Sequence, residues 1–199
     1  MNLVLVDSGG ANIGSVRYAL QRLGVESRLS ADPAEIIAAD RVILPGVGAA
    51  GPGMARLREL GLVETLRGLR QPLLGICLGM QLLFETSEEG EEACLGLLPG
   101  RVARLPAAPG IRVPHMGWNQ LRSTRPSTLL EGIGDEAQAY FVHSYAAPVT
   151  SDCIATTDHG LPFAAVVARG NVSGAQFHPE RSAAVGARLL QNFLTGGRA

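Results

Sequence analysis

The chain has 199 residues, enough for one domain with a full-sized core, and 46% of them are hydrophobic, which excludes a disordered protein. The formal net charge of -1 argues against nucleic acid or an anionic membrane as main partner, and no run approaches the roughly 18 apolar residues of a membrane helix. All 17 basic residues are arginine, so the chain has neither a Schiff-base lysine nor the lysine of a phosphate-binding loop.

The first half alternates in type. LVLVD at 3–7 predicts a buried strand, and SVRYALQRLG at 15–24 carries apolar residues at helical spacing up to Gly24. VESRLS predicts a short edge strand, and Asp32 is placed to cap a helix that begins at Pro33. RVILPG is the next strand, and MARLRELGLVETLRGLR is one long helix or two. PLLGIC then reads as a strand and LGMQLLFE as a helix. In the second half RVARL, WNQLRS, AYFVHSY, CIATTD, FAAVVA and VSGAQF are short strand candidates split by turn residues, and AAVGARLLQNFL is a closing helix.

This order predicts one α/β domain over residues 1–199. Its open mixed sheet is parallel in the first half, with helices on both faces, and has an antiparallel extension in the second. Ligands of such sheets bind beyond the carboxyl ends of the strands. Three glycine-rich loops leave those ends: DSGGANIGS, PGVGAAGPG and the turn at Cys77. The first resembles a phosphate cradle but lacks the full glycine pattern, and fits a site-lining loop or partner surface as well.

The apolar start LVLV breaks at once into DSGG, unlike a signal peptide, and Cys77, Cys94 and Cys153 show no disulfide or zinc spacing. A reducing, cytoplasmic setting is the expectation, with no metal and no cofactor. Cys94 and Cys153 read as structural.

GICLG at 75–79 puts Cys77 between two glycines where a strand gives way to a helix. That is the pattern of a nucleophile elbow, whose strained turn tolerates only small flanking residues and aims the next backbone N–H, that of Leu78, at a developing oxyanion. A buried core cysteine fits the pentapeptide equally well. The elbow reading needs a base. GAQFHPERS supplies His178 followed by Pro179 and Glu180, and in extended backbone residues two apart share a face, so the carboxylate can orient the imidazole. A surface loop is the alternative for an isolated HPE. His115 and His143 lie among aromatics and read as structural, and His159 as a turn residue.

With GICLGMQLLF and QFHPERS the chain resembles the class I (triad) glutamine amidotransferases, which have a flavodoxin-like sheet. PGVGA at 45–49, HMGWNQL at 115–121 and YFVHSY at 140–145 make it similar, within that class, to glutaminase subunits of imidazole glycerol phosphate synthase. The matches run in family order from residue 7 to residue 182. The first loop lacks the family's tyrosine and one glycine, Ala146 stands where an aromatic is common, and Arg181 where lysine is common.

The resemblance implies hydrolysis of L-glutamine, with Cys77 as nucleophile, His178 as acid and base, and Glu180 orienting it. It assigns the oxyanion donors to Gly46, Val47 and Leu78, and the glutamine pocket to Gly48, Gln81, Glu89, Ser144 and Tyr145. It further implies a heterodimer with a (β/α)8-barrel cyclase that receives the ammonia, with Asn12, Trp118, Asn119 and Arg181 in the interface. The glutaminase subunit of another amidotransferase, such as anthranilate synthase, a flavodoxin-like cysteine hydrolase of another kind, and a phosphate-binding flavodoxin-like module are the competing readings.

Overall fold

A computed structural model describes residues 1–9 and 12–196. Gly10 and Ala11, within the first glycine-rich loop, lie outside the described residues. The elements run β1 (Leu3–Val6), α1 (Ile13–Arg22), β2 (Arg28–Ser30), α2 (Pro33–Ile37), β3 (Arg41–Gly46), α3 (Ala50–Glu59), α4 (Leu62–Arg67), β4 (Leu73–Cys77) and α5 (Leu78–Gln81). There follow β5 (Phe84–Ser87), β6 (Glu92–Ala93), β7 (Leu98–Arg104), β8 (His115–Gln120), β9 (Arg122–Ser123), β10 (Gln138–His143) and β11 (Tyr145–Ala146). Last come β12 (Cys153–Asp158), β13 (Pro162–Arg169), β14 (Val172–Ala175) and α6 (Ala183–Thr195).

The main sheet has the order β2-β1-β3-β4-β14-β13-β12-β9. It is parallel from β2 to β14 and antiparallel from β13 outward, as the alternation of the first half and the short strands of the second predict. One strand crosses the expected division. β14, from the second half, inserts parallel to β4, with Ala175 opposite Ile76. Two smaller sheets, β8 with β10 and β11-β7-β5-β6, stand apart from it.

Both sheet faces are covered, as parallel strands require. On one side Val16 and Leu20 of α1 and Leu189 and Phe193 of α6 pack with Leu5, Ile43 and Phe141. On the other, Met54 and Leu57 of α3 and Leu66 of α4 pack with Val4, Val42 and Phe84. Asp32 caps α2 as its position predicts, accepting from the N–H of Ala34 at 2.8 Å. The long helical stretch is two helices, parted at Gly61, whose φ of 68° sits in the left-handed region that glycine adopts without strain.

The helix expected over LGMQLLFE is a single turn. Hydrogen bonds from Leu82 N–H to Leu78 O and from Leu83 N–H to Met80 O close it. Beyond that the carbonyls of Leu82, Leu83 and Phe84 are taken by the N–H groups of Leu95, Leu97, Leu98 and Gly96. The apolar periodicity of QLLF suits a helix and a buried strand alike, and the returning segment 94–98 decides for the strand.

Candidate active site

The topology brings the cysteine and the histidine together. β4 ends at Cys77 and β14 runs beside it in register, so Gln176 falls next to Cys77 and His178 two residues further on. β3 lies on the other flank of β4, with Gly46 opposite Cys77. Three neighbouring parallel strands thus deliver their carboxyl ends to one place, where open α/β sheets bind ligands.

Cys77 has φ 52° and ψ -111°, a strained conformation for a residue with a Cβ. The elbow glycines are enforced by contact. A Cβ on Gly75 would lie 2.7 Å from the carbonyl of Gly79, and one on Gly79 would lie 1.9 Å from the oxygen of Leu44. The turn is pressed against β3, so the spacing of GICLG reflects close backbone approach rather than loop flexibility.

His178 and Glu180 meet with Nδ1 2.8 Å from Oε1. The sequence expectation of an extended backbone through both residues is corrected here. His178 is extended, but Pro179–Arg181 form a turn of 3-10 helix, and it is this turn that swings the carboxylate back to the ring. His178 is further pinned by its own N–H to Tyr140 O at 2.9 Å and by its carbonyl to Ser182 Oγ at 2.7 Å. The Glu180 side chain is 1% exposed, and its Oε2 has no donor among the described residues.

Burial alone would lower the His178 pKa, but its hydrogen-bonding and charge interactions with Cys77 and Glu180 outweigh that and lift it to about 10. For Glu180 burial pushes upward, and the bond and charge of His178, with a hydrogen bond from Asn12, overcome it and hold the carboxyl below its usual range. Both shifts favour the charged form of the pair, an imidazolium facing a carboxylate, once the ring has taken the proton of the thiol on its other side.

A cleft of about 290 Å³ opens over the thiol. It collects nine of the residues singled out in the sequence: Val47, Gly48, Cys77, Leu78, Gln81, Glu89, Ser144, Tyr145 and His178. Gly46 sits behind it, where a Cβ would lie 2.8 Å from Gly79 N, and Glu180 lies behind His178. Pro114, Val142 and His143 complete the wall. Glu89 spends Oε2 on the N–H of Ala50 at the start of α3, at 2.8 Å. Gln81 spends both amide hydrogens internally, on Tyr145 O at 2.8 Å and Gln176 Oε1 at 2.9 Å, which leaves its Oε1 for a ligand. A cavity at the opposite end of the sheet, between Arg41, Asn171 and Phe193, holds neither nucleophile nor base.

The four residues expected at a partner surface divide. Trp118 is half exposed and meets the Tyr140 ring edge-on at 6.0 Å, and the Arg181 guanidinium lies 4.7 Å over that ring. Asn119 points inward, donating to Asp158 O and accepting from the N–H of Gln120, each at 2.8 Å. Asn12 is also turned inward, to Glu180. Sequence reasoning missed Gln176, whose amide lies 3.8 Å from Cys77 Sγ. Its position just before the HPE motif is the only signal it gives.

Cys94 and Cys153 are buried, with pKa values raised by that burial to about 11 each, and carry no base. Among the described residues no cluster could hold a metal ion, and no helix is long and apolar enough to cross a membrane.

A nucleophile elbow with a histidine–carboxylate pair on a flavodoxin-like sheet defines a class of amide-hydrolysing site, and comparison with known proteins agrees. The family model for class I glutamine amidotransferases matches residues 4–196, and the chain belongs to that family. It is 64% identical over 193 residues to the imidazole glycerol phosphate synthase subunit HisH of Xanthomonas axonopodis pv. citri, covering 97% of this chain and 96% of the relative. It is 63% identical over 192 residues to the same subunit of Xylella fastidiosa (strain Temecula1), covering 96% of each. A crystal structure of a glutamine amidotransferase superposes with a TM-score of 0.75 over 96% of both chains at 23% identity. A putative GMP synthase subunit from Thermoplasma acidophilum gives 0.72 over 98% and 92% at 19% identity. These two show a shared fold.

Proposed function

We propose that this chain is the glutaminase subunit of an imidazole glycerol phosphate synthase. It hydrolyses L-glutamine to glutamate and ammonia. The ammonia passes to a cyclase subunit that makes imidazole glycerol phosphate and aminoimidazole carboxamide ribotide in histidine biosynthesis. The observation that carries this reading is the strained Cys77 sharing one cleft with His178, itself held to a buried Glu180. The close relatives named as HisH subunits support the choice of pathway and of a partnered enzyme.

In the proposed reaction His178 takes the proton of the Cys77 thiol, and the thiolate Sγ attacks the side-chain carboxamide carbon. The oxyanion takes the N–H of Leu78 and donors of the Gly46-Val47 segment, each such donor being worth about 10²–10³ in rate. His178, carrying its proton, delivers it to the departing nitrogen. Now neutral, it draws a proton from water, which hydrolyses the thioester and frees glutamate. Glu180 stays ionised and holds the ring. Gly48, Gln81 through Oε1, Glu89, Ser144 and Tyr145 hold the glutamine head group. No cofactor takes part.

Free ammonia is mostly ammonium at neutral pH and useless as a nucleophile, so the acceptor site must be coupled to this one. The partner is a (β/α)8-barrel cyclase in a cytoplasmic heterodimer. The Trp118–Tyr140–Arg181 stack supplies an exposed anchor for it, since aromatic and arginine side chains dominate interface energetics. The amides of Asn12 and Asn119 are directed inward.

The test is glutamate release from glutamine by the chain alone and with a histidine-pathway cyclase plus its ribonucleotide, in wild type and Cys77→Ala. Release that needs the liganded cyclase and disappears in Cys77→Ala is expected. Release indifferent to the cyclase would remove the partner assignment, and none under any condition would remove the glutaminase.

A further inference from the structure

A chain of hydrogen bonds whose direction can be worked out atom by atom runs from Asn119 to the sulfur of Cys77. Asn119 Oδ1 accepts from a backbone N–H and its Nδ2 donates to a backbone carbonyl, so the orientation of this amide is settled. Its Nδ2 also meets His115 Nε2 at 3.2 Å, which must then be the bare nitrogen of that ring. The proton of His115 is therefore on Nδ1, facing His143 Nε2 at 3.1 Å. His143 in turn carries its proton on Nδ1, donating to Tyr145 O at 2.8 Å.

The Tyr145 carbonyl can only accept, so the Gln81 atom beside it at 2.8 Å is the amide nitrogen. That same nitrogen faces the next side chain at 2.9 Å, which makes the facing atom Gln176 Oε1. The remaining end of Gln176, an N–H donor, is thereby left 3.8 Å from Cys77 Sγ, within reach of a bond to the larger sulfur atom. Gln176 is fully buried and His115, His143 and Gln81 nearly so, and no competing partner offers the amide another orientation among the described residues.

We infer that Gln176 is a dedicated hydrogen-bond donor to the Cys77 sulfur, locked in that orientation by Gln81 and the Tyr145 carbonyl. This rests on the reading of Cys77 as the nucleophile and adds a residue that acts on the reacting atom. The physical case is one of charge. Cys77 Sγ also lies 3.9 Å from Val142 O, which suits a thiol that can donate but repels a thiolate. A fixed N–H on the other side offsets that repulsion, and donors to a charged partner are the strong class of hydrogen bond. His115 and His143, both neutral and buried, keep the Tyr145 carbonyl in place for Gln81.

The experiment is the rate of Cys77 alkylation by iodoacetamide as a function of pH, with the modified cysteine identified by mass spectrometry. It needs neither glutamine nor a partner, so it can fail without touching the glutaminase reading. Loss of glutamate release with an intact alkylation effect would do the reverse. Gln176→Met keeps length and burial but has no donor. Its profile is expected to move up by about one pH unit, giving about tenfold slower alkylation at neutral pH. Gln81→Met leaves Gln176 in place but free to turn, and a smaller shift in the same direction is expected. A folded Gln176→Met protein with the wild-type profile overturns the inference. If Gln176→Met does not fold, an unshifted profile in folded Gln81→Met overturns it equally.

Discussion

Asn12 Nδ2 donates to Glu180 Oε1 at 2.5 Å, across 168 positions of sequence. Asn12 occupies the N-cap position of α1, where an asparagine side chain ordinarily accepts from the helix backbone, and it makes no such bond. Its amide is spent on the carboxylate instead, 3.2 Å from His178 Nδ1. Removing a donor to a buried charge costs about 1.5–3 kcal/mol, so Asn12→Ala is expected to lower kcat for glutamate release by about tenfold or more. KM should change little. Asn12→Asp, which sets a second carboxylate against Glu180, should do worse. Steady-state kinetics at saturating cyclase separate this from an interface role. A purely interfacial Asn12 would weaken the complex and leave kcat at saturation untouched.

The histidines give stability a maximum near neutral pH. Burial pushes His143 down to about 3 and His115 to about 4, from an ordinary 6.5. Below 6.5 the unfolded chain takes up protons that these folded rings refuse. Stability then falls as the pH drops, by about 1.4 kcal/mol per pH unit for each ring. His178 works in the other direction. Its raised pKa means that its contribution is fully present below 6.5 and lost as the pH rises toward about 10. The Tm measured across pH should therefore drop on both sides. His143→Gln should lower Tm at neutral pH yet make the acid limb shallower, and an equally steep limb in that variant would assign the acid sensitivity elsewhere.

Much of this arrangement is legible in the residues. LVLV, RVILPG and CIATTD read as strands because β-branched and apolar runs between turn residues have few other ways to be buried, and GICLG announces a turn too tight for side chains. QLLF misleads because an apolar run suits a buried helix and a buried strand alike, and only Leu95–Leu98, arriving from further along the chain, completes its hydrogen bonds. VSGAQF gives no sign that it pairs parallel to β4, because strand order depends on long-range packing. The proposed triad of Cys77, His178 and Glu180 is visible through its chemistry, whereas the contacts of Asn12 with Glu180 and of Gln176 with Cys77 depend on geometry that motif spacing does not encode.

Two glycines give opposite expectations on the same substitution. Gly79→Ala would bring a methyl 1.9 Å from Leu44 O, a backbone atom of the central strand that cannot yield without opening the sheet. A loss of at least about 3 kcal/mol is expected, with Cys77 displaced as well. At Gly14, in α1, an added methyl would meet nothing within 4 Å. Gly14→Ala should stabilise by about 0.5–1 kcal/mol through helix propensity. Denaturant unfolding of both variants checks the pair, and tolerance of Gly79→Ala would mean that the elbow is less tightly seated than its contacts indicate.

The exposed stack of Trp118, Tyr140 and Arg181 supports a final prediction about the partner. Trp118 is 51% exposed and Met116 beside it 64%, so the β8–β10 ribbon carries more apolar surface than the free chain needs. Truncating Trp118 removes little from the fold, since half of the ring faces solvent. If the cyclase covers this ribbon, Trp118→Ala should leave the Tm of the isolated chain within a few degrees while weakening the complex by about 2 kcal/mol or more, roughly 30-fold in Kd. Arg181→Glu should weaken it further by reversing a charge that the Tyr140 ring holds in place at 4.7 Å. Titration calorimetry against the purified cyclase reads both. Unchanged affinity in the two variants would move the interface away from this ribbon, and a large fall in Tm for Trp118→Ala would make the ring a structural residue instead of an anchor.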